Sequence, residues 1–207
     1  MYKATPVTFI LFWLNILIMS FTFFFSKSLS PNIQILQYMG ALSHNDYSLH
    51  LLSYMFLHSG YVHLLLNMLA LLICGKKVEG LIGSAAFFVT YMISGLVGGI
   101  FAAAFGAPNA ITVGASGAII GIVACELAIR LKYRAYKSKV GRNDLFALSF
   151  DILFIMFIST LPIVSGAAHF GGFLAGFIMT FFFHSVAPQE SLTRWSDELN
   201  MNNIKNN

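Results

Sequence analysis

Six apolar runs, each close to the length that crosses a lipid bilayer, divide this chain at residues 8–25, 62–78, 83–105, 111–131, 145–164 and 166–186. A bilayer span takes about 20 apolar residues of helix, with a range near 17–25. Backbone inside lipid must bond to itself, so each run is expected as a helix. The composition agrees. Hydrophobic side chains make up 57% of the 207 residues and charged ones 10%. Soluble domains sit at roughly 45–50% apolar with Gly included and about 25% charged. Twenty charges could not cover a soluble fold of this size, which excludes a soluble enzyme, a nucleic-acid binder and a disordered chain. The expected fold class is all-α: a polytopic membrane protein of six transmembrane helices.

The first run is longer than a signal-peptide core and lacks a small-x-small site before Lys27, so it is expected as a retained helix. Residues 26–61 form a mixed segment expected to hold short interfacial helices. A single membrane domain spans 1–186, and 187–207 is a polar tail. The sequence shows no internal repeat.

Charge placement sets the topology. The net charge is +4, and six of the 12 basic residues cluster at Arg130, Lys132, Arg134, Lys137, Lys139 and Arg142. With the N-terminus inside, cytoplasmic segments collect these six together with Lys3, Lys76, Lys77, Arg194 and Lys205. Only Lys27 falls outside. The positive-inside rule therefore puts both termini in the cytoplasm. The basic cluster also suits anionic lipid head groups. Cys74 and Cys125 have no metal spacing and read as packing residues near a reducing face. No cofactor or metal site is expected.

Polar groups within spans are expensive and mark function by default. His63, Ser116 and His169 each lie a few residues inside an outer-side start, on the second, fourth and sixth spans. At about 1.5 Å per residue they share one thin layer roughly 5–10 Å below the outer surface. Asn67 is one turn from His63, on the same helix face. Ser116 sits between small residues, Gly114 and Gly117, which permit the sharp turn a helix-start nucleophile needs. Gly117 and Gly121 equally fit small-residue helix packing, as do Gly172 and Gly176 on the sixth span. A neutral His169 suits a general base for Ser116, or a buried imidazole bonded to a carbonyl. His63 and Asn67 suit an oxyanion, or plain interhelical bonding. Glu126 and Asp151 lie toward the inner side, so a dyad is expected, not a triad.

Together, Gly114-Ala-Ser116-Gly117, His63-Leu-Leu-Leu-Asn67 and Ala168-His169-Phe-Gly-Gly172-Phe-Leu-Ala-Gly176 resemble the motifs of the rhomboid intramembrane serine proteases, in that family's order. The resemblance covers roughly 53–183. It implies Ser116 as nucleophile and His169 as base. It also implies oxyanion stabilisation by the Ser116 N–H with the His63 and Asn67 side chains. Helix-packing support would come from Gly114, Gly117, Gly121, Gly172 and Gly176.

His58 falls where the family often carries a histidine, and residues 75–83, containing Glu79, are similar to its turn after the second span. The implied partners are the bilayer and transmembrane protein substrates, entering beside span five and loop 161–168. The compact six-span form implies the bacterial inner membrane, with the site near the outer face. The family's first-loop Trp-Arg pair is missing, since Trp13 and Trp195 are the only tryptophans. The competing expectations are a non-proteolytic relative that binds membrane proteins and, on His63 and His169, a small proton or ion transporter.

Overall fold

The structure is a computed structural model that describes residues 4–132, 146 and 165–182. The expected fifth span with Asp151, the basic cluster from Arg134 onward and the tail lie outside the described residues.

Helix α1 runs Pro6–Ser26, with proline at its first position, where its missing N–H costs nothing. Lys27 ends it in the left-handed conformation, its N–H returning to the Phe23 carbonyl. The segment that follows carries α2 (Ile33–Tyr38), strand β1 (Leu42–Ser43), α3 (His50–Ser53) and a single tight turn, Tyr54–Phe56. Helix α4 (Tyr61–Ala70) passes through a widened turn, Leu71–Gly75, into α5 (Lys76–Ile82). The helical stretch Tyr61–Ile82 lies at 90° to His50–Phe56. Then come α6 (Ser84–Phe105), strand β2 (Ile111–Thr112), α7 (Ser116–Lys132) and α8 (Gly166–Phe182).

Among the described residues two helices, α1 and α6, are long and apolar enough to cross a membrane, and the bent pair adds a third if it is counted as one span. Helix α8 is shorter and apolar. Exposed Phe9, Trp13, Leu17 and Phe24 cover the outer side of α1, as expected of a surface facing lipid tails.

Helices α6, α7 and α8 form the centre. Almost every α7 residue from Gly117 to Arg130 is buried. Close packing here runs through glycine. A Cβ on Gly172 would strike the Gly117 carbonyl oxygen, and one on Gly176 that of Gly121. The Ala168 carbonyl lies 2.7 Å from a Cβ position on Gly98 of α6 and 3.2 Å from one on Gly117. Lipid supplies no hydrophobic force between helices, so backbones this close gain cohesion from dispersion contacts.

Two boundaries differ from the sequence expectation. Residues 75–83 do not turn as expected: Gly75 keeps helical angles (φ −61°, ψ −50°), and the chain breaks only at Gly83, with φ +82°. Span four does not begin as helix at Ile111. Ile111 and Thr112 pair antiparallel with Ser43 and Leu42, and the helix starts at Ser116. Gly114, at φ +122°, is the reason, since that conformation cannot belong to a right-handed helix. The ribbon is the only strand pairing among the described residues, and it ties the first loop to the turn before Ser116.

At the end of α7 away from Ser116, buried Glu126 accepts from Arg130 Nε and Nη2 at 2.8 and 2.6 Å, and from Lys77 Nζ at 2.6 Å. Glu79 on α5 is also buried. Its carboxylate accepts from the backbone N–H of Val7 and Thr8, and from the Thr8 and Ser84 hydroxyls, at 2.7–3.0 Å. It thereby satisfies the N-terminal donors of α1, where a negative charge is favoured.

Candidate active site

Ser116 is the first residue of α7 and His169 the fourth of α8. They lie 53 residues apart in sequence, and His169 Nε2 stands 2.7 Å from Ser116 Oγ. His169 is 5% exposed. Its helix begins with a local cap: the Ser165 hydroxyl accepts the Ala168 N–H at 3.3 Å, and the Ser165 carbonyl accepts the His169 N–H at 3.2 Å. The start of α8, and with it the imidazole, is thereby held.

The turn before Ser116 is fixed from outside. The Gly114 N–H donates to the Tyr54 carbonyl at 2.9 Å. The Tyr54 phenol donates to the Gly95 carbonyl of α6 at 2.7 Å, so this buried side chain links first loop, nucleophile turn and bundle. The first N–H groups of α7 have no acceptor within their own helix, and the Ile119 N–H donates to the Ala115 carbonyl at 3.0 Å.

His63 and Asn67 arrive from α4. A Cβ on Gly114 would lie 2.8 Å from His63 Cε1, 2.9 Å from its Nε2 and 3.6 Å from Asn67 Nδ2. The structure therefore brings both side chains against the residue two before Ser116. Asn67 Nδ2 also donates to the His63 carbonyl at 3.1 Å, which uses one of the two amide N–H donors. His58 is buried beside them, its ring edge-on to His63 with centroids 5.2 Å apart.

Ser116, His63 and Gly114 border a cavity of about 250 Å³, lined also by Ser59, Tyr54 and Ser165, with Ser30, Pro31 and Leu36 of the first loop on its wall. Gly117 and Gly121 face α8 or α6, and Gly172 and Gly176 face α7, as described above. Ser116, His169, His63, Asn67 and Gly114 are thus gathered around one turn, and the paired glycines extend from it along α7 and α8. Three contributors carry no clear sequence signal: Tyr54, hidden in an apolar stretch; the β2 strand, two residues long; and Ser59. Spacing alone could have flagged Ser59, which stands four before His63.

A helical membrane bundle in which a serine at a helix start meets an imidazole beside a polar cavity defines a class, membrane-embedded proteins with serine-hydrolase geometry. The family follows from comparison with known proteins. Residues 45–186 match the Rhomboid domain model, and the chain belongs to the rhomboid family. It is 38% identical to RHOMBOID-like protein 2 of Arabidopsis thaliana over 73% of this chain and 49% of that protein. It is 31% identical to Rhomboid-like protease 3 of Toxoplasma gondii, over 82% of this chain and 65% of the relative. Inactive RHOMBOID-like protein 8 of Arabidopsis thaliana is 30% identical over 71% of this chain and 43% of that protein. The chain spans about half the length of the Arabidopsis relatives it matches. The relatives are eukaryotic and give no support to the bacterial inner membrane expected above; the family and the apolar helices do support an integral membrane protein.

Proposed function

We propose that this chain is an intramembrane serine endopeptidase that cuts peptide bonds in or next to transmembrane helices of other proteins, through a Ser116–His169 dyad. The observation that carries the proposal is the 2.7 Å approach of His169 Nε2 to Ser116 Oγ beside a cavity. The bundle is a six-span one with both termini cytoplasmic and the site toward the outer face.

In the first half of the reaction Ser116 Oγ attacks the scissile carbonyl carbon while His169 Nε2 takes the hydroxyl proton. The carbonyl oxygen becomes an oxyanion, stabilised by the Ser116 backbone N–H and by donors from His63 and Asn67. Protonated His169 then gives its proton to the leaving amine, the C–N bond breaks, and an acyl-Ser116 ester remains. Water deprotonated by His169 attacks the ester and returns Ser116 to its starting state. The polar wall formed by Ser30, Ser59 and Ser165 suits a water-holding site. A substrate helix must unwind locally, because helical hydrogen bonds shield the bond to be cut.

A second function, binding membrane proteins without cutting them, is favoured by the 30% identity to an inactive relative. Purified chain incubated in detergent with a fluorogenic transmembrane substrate separates the two. Cleavage lost in both Ser116→Ala and His169→Ala supports the protease; binding without cleavage by the unaltered chain supports the binder.

A further inference from the structure

Ser59 is exposed, belongs to the loop before α4 and, beyond lining the cavity wall, has no role in the bond-making steps above. Its Oγ lies 3.1 Å from His63 Nδ1. Its backbone is held in turn, because the Ser30 hydroxyl of the first loop donates to the Ser59 carbonyl at 3.0 Å. The other ring edge of His63, carrying Nε2, faces Gly114. The Gly114 N–H is already taken by the Tyr54 carbonyl, so it offers no donor to Nε2. Ser59, His63 and Ser116 all border the same cavity.

A neutral imidazole carries one proton, and the bond made at one nitrogen decides which nitrogen holds it. A serine hydroxyl can donate or accept. If it accepted from Nδ1, a lone pair on Nε2 would face the place where negative charge develops. If it donates, Nε2–H faces that place.

We propose that Ser59 is a positioning residue for His63: its hydroxyl donates to Nδ1, keeping the imidazole proton on Nε2, on the edge toward Gly114 and the cavity. Ser30, by holding the Ser59 carbonyl, links the first loop to this arrangement. The proposal rests on His63 acting as an oxyanion donor.

The test uses the full chain in detergent micelles, with nitrogen-15 histidine spectra and kinetics on the transmembrane substrate. The His63 signal, identified by its loss in His63→Ala, is expected as the Nε2-protonated form in the unaltered chain and as a tautomer mixture in Ser59→Ala. Ser59→Ala is expected to lower kcat about five- to tenfold with KM little changed, the scale of one lost hydrogen bond. Ser59→Thr restores the rate, and Ser59→Ala adds no loss in a His63→Ala background. A purely structural role would instead add in that background and lower the unfolding midpoint. His63 protonated on Nδ1 in the unaltered chain overturns the proposal, as does Ser59→Ala with unchanged spectrum and unchanged kcat. If His63→Ala keeps full kcat, the oxyanion role fails separately, and the spectra alone decide what Ser59 does to the ring.

Discussion

Gly117 and Gly172 touch through their backbones: a Cβ on Gly172 would fall on the Gly117 carbonyl oxygen. Gly117 follows Ser116, and Gly172 lies one turn after His169. Helices α7 and α8 are thus in backbone contact at the level of the Ser116–His169 pair, and Gly121 with Gly176 makes an equally close contact one turn further along. The hydrogen bond between serine and imidazole depends on two positions that have no side chain.

Alanine at Gly172 must therefore push the helices apart. Gly172→Ala is expected to cost about 1–3 kcal/mol, the usual penalty for overpacking, and to lose substrate cleavage. Gly80 in α5 is the contrast, since a Cβ there meets nothing within 4 Å. Gly80→Ala should leave cleavage unchanged and raise stability by about 0.5–1 kcal/mol, the helix-propensity difference. Unfolding in mixed micelles followed by circular dichroism, with a cleavage assay alongside, checks both.

Gly114 faces two separate obstacles to replacement. Its φ of +122° strains any L side chain, and an added methyl would meet the His63 ring at under 3 Å. Gly114→Ala is expected to lower kcat about a hundredfold, the scale of losing an oxyanion donor, while the helical spectrum is retained. A variant with normal kcat would show that His63 and this turn do not work together.

Glu79 gathers α1, α5 and the start of α6 around one buried carboxylate. Glu79→Ala leaves the Val7 and Thr8 N–H groups without that acceptor and is expected to lower stability by about 2–3 kcal/mol, with Glu79→Gln losing less. The loss should appear in unfolding midpoints, with kcat per folded molecule preserved.

Much of this was legible in sequence, and the reasons are local. Run lengths exposed the helices because lipid tolerates few polar residues. His63, Ser116 and His169 stood out because each interrupts such a run, and the fold brings their side chains to the turn at Gly114 and Ser116. What stayed hidden depends on contacts distant in sequence. Nothing in Ile111-Thr112 distinguishes a two-residue strand from a helix start until Leu42 and Ser43 lie beside it. Gly75, Gly80 and Gly83 look alike as letters, yet only Gly83 takes a positive φ. The bonds made by Tyr54 and Glu79 join residues 41 and more than 70 positions apart, beyond any periodic signal.

The first loop also carries a hydrogen bond between His50 Nδ1 and Asp46 Oδ2 at 2.6 Å. Burial pushes the Asp46 carboxyl up, but bonds from Ser48 and the charge and bond of His50 outweigh it, and the group sits below its ordinary 3.8. A carboxyl held low contributes stability that is present above its ordinary value and lost as pH falls through the lowered one. Thermal unfolding should therefore show a small destabilisation on acidification below pH 3.8. Asp46→Asn should remove that part of the acid dependence.

The most direct measurement of the central claim is labelling of the intact chain by a fluorophosphonate, with the modified residue located by peptide mass. The Ser116–His169 dyad predicts one adduct, on Ser116 Oγ. It also predicts a labelling rate that falls by about a thousandfold or more in His169→Ala. An adduct on another residue, or labelling of Ser116 at the same rate without His169, would contradict it.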